Sequence, residues 1–182
     1  MQMSFCLCLD MDGFYVGNKF LVREIGWYAP LPNGQEAYGV QHITHDWTWD
    51  MLSFKDQQRV RYVKRHVTGL SFRPSPLEYQ LQNNNILGQD RVASFVEQLW
   101  KTYKTPECNT VAYKGGTLEF VLLTLLSIPS LDFEKEGCPT FNKLRVDSTF
   151  PKCPCHTHSN VHCAMSECYV FSKWIVNKKS FE

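Results

Sequence analysis

The sequence predicts an α/β fold with a mixed sheet. Three observations carry this expectation: strand-like apolar runs crowd the stretch up to Ile43, helical periodicities alternate with short apolar runs after it, and no repeat or low-complexity tract divides the chain. At 182 residues, with 43% hydrophobic and 20% charged residues, one domain spanning 1–182 with a real core is expected. The formal net charge of +1 neither favours nor excludes a polyanionic partner. The start lacks a basic n-region and Asp10 interrupts its apolar run, so no signal peptide is read there. The longest apolar block, Phe120 to Ile128, is too short for a membrane span. The expectation is an intracellular protein, cytoplasmic or nuclear, that is neither secreted nor membrane-bound.

The elements follow in order. Phe5 to Val16 reads as a strand that turns at Gly17-Asn18 into a second strand, Phe20 to Trp27; so short a connection implies an antiparallel hairpin. Pro30, Pro32, Asn33 and Gly34 make a loop before a third strand, Glu36 to Ile43. Ser53 with Asp56 three residues on resembles a capping box, opening a helix from Phe54 to Val67 that Gly69 stops. Pro74 to Asn85 reads as a polar loop, and a second helix runs from Gln89 to Tyr103. Thr110 to Tyr113 is a short buried strand closed by Gly115-Gly116, after which helix resumes from Thr117 to Leu126. Leu131 to Phe133 is a further strand, ended by a Gly-Cys-Pro turn. Beyond an irregular Cys/His-rich loop, a last helix spans Cys163 to Val176, with Ala164, Cys168, Phe171 and Ile175 as its apolar stripe.

The candidate chemistry starts in "FCLCLDMDGFYV". Strand side chains alternate faces, so Asp10 and Asp12 point the same way, together with Cys6 and Cys8. Either the strand runs out into solvent there, or a cation offsets the repulsion between the two carboxylates. In "VAYKGGTLEFVLLTLL", Glu119 falls in the first turn of a helix, where an acid is stabilised by about 0.3–1 kcal/mol and is also a routine choice. In "HCAMSECYVFSKWI", Glu167 borders the apolar stripe, where a carboxylate is costly unless paired or metal-bound, and His162 stands five residues before it.

Asp10-Met11-Asp12, Glu119 with Leu122-Leu123, and His162-x-Ala164-x-x-Glu167 resemble the three-motif layout of the DEDD 3′–5′ exonucleases, in their His-bearing branch. "HVTGL", His66 to Leu70, is similar to a segment that branch carries before its second motif. More narrowly, the "YKGG", "GCP" and "HCA" stretches resemble a group of ribonuclease-H-like proteins scattered through animal genomes, for which mobile or viral elements are one source. The resemblance covers Phe5 to Trp174 and implies a ribonuclease-H-like fold: a mixed sheet with an N-terminal antiparallel hairpin, flanked by helices. It further implies a two-metal phosphodiesterase in which Asp10, Asp12, Glu119 and Glu167 hold Mg²⁺ or Mn²⁺ and His162 is the general base or orients the water. The sequence departs from the family's pattern at three places. Asp12 stands where the family has Glu, and Glu119 and Glu167 where it has Asp.

Eight cysteines without a secretory signal point to metal ligation or burial rather than disulfides. In the stretch 138–163, Cys138, Cys153-x-x-His156 and Cys163 supply four N/S donors for a structural Zn²⁺, with Cys155, His158 and Cys168 as competitors and free thiols as the alternative.

"KDQQRVRYVKRH" places Lys55, Arg59, Arg61, Lys64, Arg65 and His66 on one helix, which is either a solvated face or a phosphate-contacting surface. Lys114 beside Gly115-Gly116 is a further phosphate candidate, and Trp47, Trp49 and Phe72 are either base-stacking residues or core. The function expected is a metal-dependent nuclease, a 3′–5′ exonuclease on single-stranded RNA or DNA ends. The rivals are a catalytically impaired module that binds nucleic acid, a protein partner or a second copy of itself, and a zinc-stabilised interaction domain.

Overall fold

The computed structural model describes residues 3–156 and 162–182. Among these, five strands form one sheet in the order β3-β2-β1-β4-β5. β1 (Leu7–Val16), β2 (Lys19–Pro30) and β3 (Glu36–His42) are antiparallel neighbours, whereas β4 (Val111–Tyr113) and β5 (Ser130–Asp132) run parallel to β1. Helices α1 (Phe54–Val63), α2 (Pro76–Leu81), α3 (Val92–Tyr103), α4 (Thr117–Leu125), α5 (Phe141–Leu144) and α6 (Ala164–Ser180) complete the described chain. The fold is therefore α/β with a mixed sheet and an N-terminal hairpin, as expected. No described helix is long and apolar enough to cross a membrane.

The period-two pattern of β1 splits the core between two faces. Leu7, Leu9 and Met11 join Ile25, Val96, Leu99 and Leu123 on the side of α3 and α4. Cys8 joins Tyr28, Phe133, Phe141, Cys168, Phe171 and Ile175 on the side of α6. Full burial of each large side chain contributes about 1.5–3 kcal/mol, and all three residues of the short β4 are buried. Cys6 departs from expectation. It precedes the strand proper and packs in the α3–α4 cluster, its thiol donating to the Thr110 carbonyl.

Register places the polar residues. Asp12 pairs with Glu24 and Glu24 with His42, so these three form one cross-strand row on the α6 face. The next row is Asp10, Gly26 and Val40. A Cβ at Gly26 would collide with the backbone of Ala164 and Met165, so the bare glycine lets α6 begin directly on the sheet. A bulge beyond Asp12 leaves Arg23 unpaired in the ladder and fully buried. Its guanidinium donates to Glu78 Oε1 at 2.6 Å, Ile43 O at 2.8 Å and Ser71 O at 3.1 Å.

Three local expectations are corrected. Pro74 to Asn85 is not loop throughout: Ser75 and Glu78 form a capping box with Pro76 at the first helical position of α2. α1 ends at Val63 and continues as a π-helical turn, Lys64–Thr68, stopped by Gly69 at φ +70°. Trp47, Trp49 and Phe72 pack with Phe14, Leu21 and Val60 beneath the hairpin, so they are core rather than a stacking surface.

Candidate metal centre

β1 outruns β4. Only Leu7 and Cys8 pair with it, so from Leu9 onward that edge of β1 is paired with no strand among the described residues. Glu119 fills this edge: its Oε1 accepts the Met11 backbone N–H at 3.0 Å. The Gly115-Gly116 turn makes this possible, with Gly115 at φ +65° and Gly116 so close to the Glu119 carboxylate that any Cβ would overlap it. Seating α6 on Gly26 brings Glu167 over the same edge. Oxygens of Asp10, Asp12 and Glu167 lie within 4.8 Å of one another, and Asp10 contacts both Glu167 and Glu119. The four carboxylates singled out in three separate motifs thus share one place.

That place is short of compensating groups. Asp10 Oδ2 and Asp12 Oδ2 are buried and have no hydrogen-bond partner. Burial first, then the charges of Asp12, Glu167 and Glu119, holds the Asp10 carboxyl well above the usual carboxylate range. Burial first, then Glu167 and Glu24, does the same to Asp12. Glu119 is also raised, chiefly by burial, against hydrogen bonds that favour its ionised form. Orphaned hard oxygens in mutual repulsion fit a hard divalent cation of the Mg²⁺ or Mn²⁺ kind.

His162 Nδ1 lies 2.8 Å from Glu167 Oε1, with the ring about one-third exposed beside Phe141. The bond to Glu167 is the main reason its pKa is raised above 6.5. The backbone N–H of His162 donates to Val67 O at 2.8 Å, a carbonyl at the end of the π-helical turn. The "HVTGL" segment therefore anchors the residue before α6 through carbonyls that a helix end leaves free.

The Cys/His residues assemble differently from the expected set. Cys138 packs among Cys8, Phe133, Phe141 and Cys168, whereas Cys153, Cys155 and Cys163 share another cluster with Leu70 and Met165. Cys138 therefore belongs to neither donor group of this region, because the turn after β5 tucks its side chain into the core under α6. The groups present are His42–Cys153–Cys155 and Glu24–His156–Cys163, each with donor atoms within 4.8 Å. His158 lies outside the described residues. All eight cysteines are free.

Lys55, Arg59, Arg61, Lys64 and Arg65 are exposed along α1 and the π-helical turn, Arg61 lying over Trp49. Lys114 is remote from that surface in its contacts, with its Nζ 5.3 Å from the Phe171 ring. Between α1 and the tail of β1 runs a groove of about 330 Å³, lined by Tyr15, Phe20, Arg59, Val63 and Val67 and reaching Asp12.

Sequence reasoning missed Glu24, His42, Glu78 and the aromatic pair Tyr15–Phe20. "FLVREIGW" carried the same signal as β1, a carboxylate within an apolar strand, but its row depends on a register that a bulge shifts by one residue. Compared with known proteins, the chain matches no family model, and no curated protein or solved structure matches it significantly.

Proposed function

We propose that the protein is a divalent-metal-dependent nuclease that hydrolyses phosphodiester bonds, a 3′–5′ exonuclease on single-stranded ends built on a ribonuclease-H-like fold. One observation carries this reading: Asp10, Asp12, Glu119 and Glu167 meet at a sheet edge with unsatisfied oxygens, and His162 bonds the last of them. The mixed sheet opening with an antiparallel hairpin agrees with what the resemblance implies.

Asp10, Asp12, Glu119 and Glu167 would hold Mg²⁺ or Mn²⁺, which supply charge neutralisation at a phosphate and a lowered pKa for water. Glu167 accepts the Nδ1–H of His162, which fixes the ring and leaves Nε2 to take a proton at the partly open side of the site. In the metal-free fold Glu167 favours the imidazolium, and a cation held by Glu167 would oppose that. Arg59 and the flanking basic side chains meet phosphates without reading sequence, while Tyr15 and Phe20, rings 4.9 Å apart, offer stacking faces along the groove to Asp12.

A second reading, a module that binds nucleic acid or a protein partner without cleaving, draws on Asp12, Glu119 and Glu167 standing where the resembled family has the other acid. A displacement of about one ångström from one methylene can cost about 10²-fold. Incubating the purified chain with end-labelled single strands in Mg²⁺ or Mn²⁺ separates the two. Stepwise shortening abolished by Asp10→Asn supports the nuclease, and binding without shortening supports the module.

A further inference from the structure

Beside the acid cluster lies a second set of donors that the nuclease reading does not use. Glu24 and His42, adjacent in the cross-strand row, are fully buried, and the side chain of His156 is 3% exposed. Glu24 Oε2 and His156 Nε2 are 3.2 Å apart, yet both atoms lack a hydrogen-bond partner, because they are misaligned for one. Two donors around a tetrahedral ion with bonds of about 2.0–2.2 Å stand about 3.3–3.5 Å apart without pointing at each other. His42 Nε2 and Cys153 Sγ are 3.6 Å apart, close to the roughly 3.6 Å that tetrahedral bonds of about 2.1 and 2.3 Å impose.

The outer contacts select the same nitrogens. His156 Nδ1 is engaged by the Thr68 carbonyl, and His42 Nδ1 lies 2.8 Å from Glu78 Oε1 in an ion-pair contact that, like the one between Glu24 and His156, is not a hydrogen bond. In each ring Nε2 is left toward the sulfurs and carboxylate, the orientation that carbonyls and carboxylates impose on metal-binding histidines. Plain ion pairs would account for the two carboxylate–imidazole contacts, but not for the three buried thiols, Cys153, Cys155 and Cys163, gathered beside them.

We infer that this junction is a binding centre for a divalent ion of the zinc class, which draws four ligands from two neighbouring donor groups, His42 with Cys153 and Cys155, and Glu24 with His156 and Cys163. Thiolate and imidazole donors select zinc over the hard cations suited to the acid cluster. Four of the six donors come from the segment leading into α6 and two from the sheet. The ion therefore fastens the residues around His162 and the start of α6 to β2 and β3. The centre stands whether or not the acid cluster cleaves nucleic acid.

The test is metal analysis of the full chain purified without chelator, together with Co²⁺ substitution. Stoichiometric zinc is expected, and a thiolate-to-cobalt charge-transfer band should appear when Co²⁺ replaces it. His42→Ala and Cys153→Ser should lose the metal, Cys138→Ser should keep it, and Glu78→Gln should weaken zinc binding about 10–100-fold. If His42→Ala fails to fold, the cobalt band of the unaltered chain and the metal content of Cys138→Ser still decide. Wild-type protein with neither zinc nor a thiolate band under Co²⁺ overturns the inference. Loss of zinc in Cys138→Ser overturns the ligand set.

Discussion

In the proposed nuclease, Asp10 is the residue on which the chemistry turns. In the fold its carboxyl holds a proton more tightly than at its ordinary value of 3.8, because it is buried beside three other acids. The native state therefore binds more protons than the unfolded chain above that pH, so this group's contribution is present at low pH and declines as pH rises. Asp10→Asn should raise the melting temperature of the metal-free protein at neutral pH, each kcal/mol relieved appearing as about 2–4 °C. The gain should shrink toward pH 4, and the stabilisation that Mn²⁺ gives the wild type should weaken; melting curves across pH with and without metal check this. His162 carries the opposite requirement, since it must lose its proton to act. Glu167 raises the pKa of the His162 ring in the metal-free fold, and a cation held by Glu167 opposes that shift. His162→Ala should lower the rate about 10²–10⁴-fold while leaving Mn²⁺ affinity in place.

Among the elements, α6 delivers Glu167 and its seat on the sheet depends on one missing side chain. Gly26→Ala should push Ala164 and Met165 off the sheet, costing about 1–3 kcal/mol or more and lowering metal affinity with it, as denaturant melts and Mn²⁺ titration would report. The stripe of Ala164, Cys168, Phe171 and Ile175 was legible in the sequence, and all four are buried. Its support was not. Gly26 reads as a weak point in a strand until the register sets it under the helix. The six-residue α2 is too short for its one i, i+4 pair, the exposed Leu77 and Leu81, to stand out as a period, so its sequence signal rests on Ser75, Pro76 and Glu78. Cys138 belongs to the clustered N/S donors of the last quarter, but clustering in sequence says nothing about which side of β5 a turn folds to. The acids were easier to read, because a carboxylate inside an apolar run needs a reason wherever it occurs.

Taken as a whole, the molecule sets a hard-oxygen site, a sulfur-rich junction and a basic helix around one half of a mixed sheet. A phosphate-contacting role for α1 makes strand binding salt-dependent. Replacing Arg59 should weaken binding equally across sequences and reduce the log–log salt slope by about 0.7. Tyr15→Ala should cost about 1–3 kcal/mol of strand binding if its ring stacks a base, measurable by fluorescence anisotropy with the metal left out. The proposed function requires that the four acids act together as a cation-dependent phosphodiesterase. It is tested most directly by following end-labelled single-stranded RNA and DNA with the purified chain in Mn²⁺ or Mg²⁺, beside Asp10→Asn. The expected result is stepwise shortening from the 3′ end that stops without divalent cation and stops in the variant. Intact strands under both metals, from a protein that binds them equally well with Asp10 replaced, would contradict it.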